Sequence, residues 1–145
     1  MTEPAFLADS GGPLVRPWRG SAGALVAAAA GHAQVWWLRG SRMRTKVGLL
    51  DEWAAAAQFP PHFGSTWDAL RDALGDLPEG GTFLVLEADQ LLQDAPPEEL
   101  QTLVLVLRDV REDLAPMPFR LVLQAEPERF PTMVEGLRAL GATQG

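Results

Sequence analysis

Thr82–Glu87, TFLVLE, is an apolar run closed by a single acid. Such a run marks a strand covered on both faces, the usual state of strands in parallel sheets. Before it, Pro78-Glu79-Gly80-Gly81 reads as a turn. After it, a long helix is expected to open at Pro96 or Pro97, since the N–H groups of a first helical turn have no partner to lose. Its stripe of Leu100, Leu103, Val104, Leu107, Val110 and Leu114 keeps helical spacing until Pro116 and Pro118 end it. Phe119–Gln124, FRLVLQ, then repeats the strand pattern, and residues 127–140 read as a last helix. Upstream, Gln34–Arg39, QVWWLR, is a third β-branched and aromatic run, closed by Gly40. Strands that alternate with helices and are too apolar to face water predict an α/β domain. The expected core is a small three-stranded parallel sheet covered by helices.

Two helices fill the interval between the first two strands. Thr45 can cap one running to about Gln58, with Val47, Leu50, Trp53, Ala54 and Ala57 on its inner stripe. Pro60-Pro61 ends it, because proline has no N–H to continue the ladder. His62-Phe63-Gly64 is a tight connection, and Ser65 or Thr66 caps the next helix, which runs to about Leu77. Trp67, Leu70, Leu74 and Leu77 recur at helical spacing and must face the core. Residues 1–20 hold three prolines and three glycines and read as an irregular lead-in, followed by a short helix over Ser21–Ala30. The expected organisation is an N-terminal extension over residues 1–33 and one domain over residues 34–145, ending in an added C-terminal helix.

Composition removes several classes of chemistry. The chain has 145 residues and no cysteine, which excludes disulfides, thiolate nucleophiles and cysteine-based metal sites. Two histidines, His32 and His62, are too few for a multi-histidine centre. Neither a phosphate-binding glycine loop nor a G-x-S-x-G elbow is present. No cofactor and no metal are therefore expected, and no catalytic residue is assigned. The formal net charge is −7, and an acidic chain is ill-suited to hold nucleic acid phosphates directly. The N-terminal stretch lacks a basic region, and no segment approaches the ~20 apolar residues of a membrane span. A cytoplasmic protein is expected, with no membrane partner. Oligomeric state is left open.

Charge is unevenly distributed. Residues 14–46 carry six basic groups and no acid, whereas residues 47–115 carry fourteen acids against three arginines. Asp68, Asp72 and Asp76 are spaced by four and line one side of the helix that begins at Trp67. Like charges at that spacing repel, and Asp76 also lies toward the negative end of the helix dipole. Three readings stand: a solvated face, a docking surface for a basic protein, or a divalent-cation site. The cation reading would make the protein a small magnesium-dependent enzyme using Asp68 and Asp72.

The stretch Leu49–Leu74, LLDEWAAAAQFPPHFGSTWDALRDAL, resembles the barstar family of intracellular ribonuclease inhibitors. The features that match are a helix ending in a proline-bearing loop, an aromatic pair before glycine, and a W/L-D-A-L-x-D helix start. The order of elements from Val35 to Gln124 agrees as well. The resemblance implies a protein that binds and blocks a basic ribonuclease or related toxin through an acidic helix and the loop before it. Residue by residue, it points to His62, Phe63, Gly64, Asp68, Arg71, Asp72, Asp76 and Asp109 as partner contacts. Asp72 stands where the family's dominant carboxylate stands, Asp68 where a second one does, and Asp109 is a looser match. Arg71 places a positive charge between the two key aspartates. A family member that has lost its toxin and serves as a general interaction module is the remaining alternative.

Overall fold

The computed structural model describes residues 12–60 and 64–139. Its elements run β1 (Val15–Arg19), α1 (Ala22–Ala29), β2 (Val35–Arg39), α2 (Lys46–Ala57), α3 (Trp67–Gly75), β3 (Gly81–Leu86), α4 (Pro97–Leu114), β4 (Phe119–Ala125) and α5 (Phe130–Ala139). The four strands form one sheet in the order β1-β4-β3-β2, and every pairing is parallel. The α/β class and the parallel sheet agree with the sequence reading.

The expected count of three strands is corrected to four. The added strand is β1, VRPWR, which aligns Val15 with Leu121 and Arg19 with Ala125. Pro17 and two arginines disguise it, since proline and charge are depleted in central strands. As an edge strand β1 has a neighbour on one side only, so a residue without an N–H is tolerated there. Residues 15–29, expected as part of an extension, thus add an edge strand and a helix to the same layered fold.

Alternation along the strands distributes side chains to two faces. Phe83, Val85, Leu121 and Leu123 face the larger core, where Leu49, Leu50 and Trp53 of α2, Leu70 and Leu74 of α3, and Leu103, Leu107 and Val110 of α4 pack. Met133 and Leu137 of α5 join that side. Leu84 and Val122 face the opposite way and meet Leu25 and Ala29 of α1. Every residue of β3 except its last is buried, as the TFLVLE run requires.

Two buried polar side chains beside the C-terminal ends of the strands are hydrogen-bonded within the fold. Gln124 is fully buried, and its side chain accepts from the Glu87 N–H at 2.8 Å and donates to the Gly20 carbonyl at 2.7 Å. Glu52 of α2 is buried and accepts from both the backbone N–H and the Nε of Arg39, at 2.8 and 3.1 Å. These bonds lock the sheet and α2 into one frame. Gly80, with φ +72° and the Pro118 carbonyl where a Cβ would stand, fits a turn that no side chain could enter.

Candidate functional site

The site is built on α3, and its position is fixed from both ends. Thr66, rather than Ser65, is the cap: its hydroxyl oxygen accepts the Ala69 N–H at 3.0 Å. Trp67, the first helical residue, is half-buried and donates its Nε1–H to Glu99 of α4 at 3.0 Å. Lys46, at the start of α2, lies over the same indole ring, 5.5 Å from its centroid. Leu70 and Leu74 are fully buried. One aromatic residue thus joins three helices, and two leucines hold α3 onto the core.

What remains of α3 faces outward and is acidic. Asp68 and Asp72 are exposed on the helix, while Asp76 is exposed one residue beyond its end, as the C-cap. The helix stops at Gly75 rather than near Leu77, so the aspartate row is two helical residues and a cap. Among the described residues, none of the three makes an ion pair. Gly64 is exposed, and among the described residues a Cβ added there would meet only the Ala69 methyl, at 3.6 Å. His62 and Phe63 lie outside the described residues.

Arg71 turns away from its acidic neighbours in sequence. Its Nε is 3.5 Å from Asp109 and its terminal nitrogen 3.2 Å from Asp113, both on α4. Arg71, Asp72, Gly75, Asp76 and Asp113 line a shallow depression of about 380 Å³ between the ends of the two helices. Sequence reading left Asp113 out of the site, although it follows Asp109 by four residues and must share its face. Leu105, one turn before Asp109, is 58% exposed. It too was legible, because it falls off the apolar stripe of its own helix.

Elsewhere on the surface, Arg44 and Asp94 form a two-bonded pair at 2.8 and 3.1 Å. Hydrogen bonding to Arg44 holds the Asp94 carboxyl below its ordinary range, and Asp94 in turn raises Arg44. No group of three or more histidine, aspartate or glutamate side chains is arranged to hold a metal ion among the described residues. No described helix is long and apolar enough to cross a membrane.

A parallel α/β scaffold that presents exposed carboxylates on a firmly seated helix defines an acidic, surface-presenting domain. The family model described as Barstar (barnase inhibitor) matches residues 33–125, and the chain belongs to that family. The description is of an inhibitor rather than an enzyme. A comparison with curated proteins finds no match.

Proposed function

We propose that this protein binds and blocks a basic ribonuclease or related toxin in the cytoplasm, with no catalysis of its own. The observation that supports it best is the exposed trio Asp68, Asp72 and Asp76, without counter-ions among the described residues while the one arginine among them is paired to another helix. A ribonuclease site is built to hold phosphates and is cationic, so carboxylates on a rigid helix can take the place of the substrate's charge. Gly64, Asp68, Asp72 and Asp76 would meet the enzyme directly, with His62 and Phe63 from the preceding loop. Arg71 and Asp109 would border that contact. The same negative face disfavours direct contact with RNA, so inhibition would proceed through the enzyme.

RNA cleavage supplies the test, using barnase and any basic ribonuclease retained on the immobilised chain from its source cells. Inhibition at about one equivalent is expected, with association slowing as salt is raised, because exposed charges steer encounter only within the Debye length. Full cleavage activity of both enzymes in excess inhibitor overturns the reading.

A further inference from the structure

Arg71 lies between Asp68 and Asp72 in sequence, yet its guanidinium contacts Asp109 and Asp113 instead. Those two acids sit one turn apart on α4 and repel each other. Asp113, next to the last residue of α4, also faces the negative end of the helix dipole. An isolated exposed ion pair contributes little, but this cation relieves two unfavourable carboxylates at once. The planar fork of arginine suits that task, because separate nitrogens reach the two acids. Arg71 is also the most shielded of the three, at 38% exposure against 57% and 50%.

The effect is to divide the acidic surface in two. Asp68, Asp72 and Asp76 have no counter-ion among the described residues, whereas Asp109 and Asp113 already share one. We infer that Arg71 is a positioning residue that limits the binding surface to α3 by keeping the two α4 aspartates occupied. The biological meaning rests on the inhibitor reading above, while the division itself is a property of the free chain. A partner whose cations cluster opposite α3 binds without displacing anything. A partner whose cations extend over α4 must first break the Arg71 contacts. Arg71 thereby selects among basic partners by the layout of their charge, not only by its amount.

Hexa-arginine peptide, followed by chemical-shift mapping on the isotope-labelled chain, tests this without knowledge of the natural partner. With the parent protein, the resonances of Asp68, Asp72 and Asp76 should move while those of Asp109 and Asp113 stay nearly still. In Arg71→Gln the map should extend to Asp109 and Asp113, and the peptide should bind about threefold tighter. That factor corresponds to removing one unit charge at ~6 Å in the dielectric of water. Arg71→Lys, which keeps the charge without the fork, should restore the parent map only in part. If Asp109 and Asp113 move equally in the parent and in Arg71→Gln, the inference is overturned. Movement confined to α3 in both proteins overturns it as well. If nothing on α3 moves in either protein, the acidic-face reading under the proposed function fails instead.

Discussion

Replacing Asp72 by alanine should move stability and binding in opposite directions. The side chain is exposed in the middle of α3 and pairs with no described residue, so its removal forfeits no ion pair or hydrogen bond among the described residues. Alanine is a better helix former than aspartate by up to about 0.7 kcal/mol. Two like-charged neighbours, Asp68 and Asp76, each add a few tenths of a kcal/mol of repulsion that the substitution relieves. Asp72→Ala should therefore be more stable than the parent by roughly 0.5–1.5 kcal/mol in a urea melt. In the complex, the carboxylate would be desolvated against cationic groups that are left buried and unpaired when it goes. That loss is about 2–5 kcal/mol, roughly thirtyfold to several thousandfold in affinity. The range includes charge pairs measured in the barstar–barnase complex, so it is a family magnitude. Calorimetry or inhibition against barnase reads the second quantity. A variant that inhibits as well as its parent refutes the substrate-mimic mechanism. One that unfolds more easily by over about 1 kcal/mol refutes the placement of Asp72 on a free surface.

Two further outcomes follow from the same coordinates. Among the described residues Gly64→Ala meets only ordinary contact with Ala69, so stability should hold or rise by up to ~1 kcal/mol as the unfolded chain loses freedom. Inhibition should still fall if a partner approaches that backbone closely, and unchanged inhibition in a stable variant would remove Gly64 from the interface. Asp94, whose carboxyl is held low by hydrogen bonding to Arg44, contributes stability that is present above the ordinary carboxylate range and lost as pH falls through the lowered value. The difference in urea stability between parent and Asp94→Asn should thus be small but measurable near neutrality and vanish in strong acid. A difference that persists or grows in acid would contradict the pairing.

Legibility in the sequence tracked how one-sided each signal was. The two central strands showed because Leu84, Val122 and their neighbours are buried on both faces, which leaves no room for polar alternation. β2, at one edge and only partly buried, showed through its β-branched and aromatic residues. β1 did not show because an edge strand answers to fewer constraints: Val15 is buried while Arg19 is exposed, and Pro17 is tolerated where one side has no partner. Thr45 was legible as a cap because a hydroxyl before an apolar helix has one common use. The end of α3 was less so, since Gly75 and Asp76 permit a stop without forcing one. On the site, spacing alone placed Asp68 and Asp72 outward. It could not show that Arg71 would reach across to α4, because that contact joins residues 38 and 42 positions apart and depends on how two helices pack.

The places where α3 departs from good helix design are all on one face. Its buried side follows every rule: a threonine cap, a tryptophan tied to two other helices, and leucines with no exposure. Its outer side stacks like charges and ends on an aspartate where the dipole calls for a cation. Local rules broken on one face and kept on the other indicate a surface shaped by something besides stability. The seating of α3 is what makes that cost tolerable, because repulsion among Asp68, Asp72 and Asp76 acts on a helix that Leu70, Leu74 and Trp67 already hold. It also gives the acids a fixed spacing before any partner arrives, so binding need not order them first. On this reading, firm packing beneath and unrelieved charge above are two halves of one device, and loosening α3 should weaken binding even where every aspartate is kept.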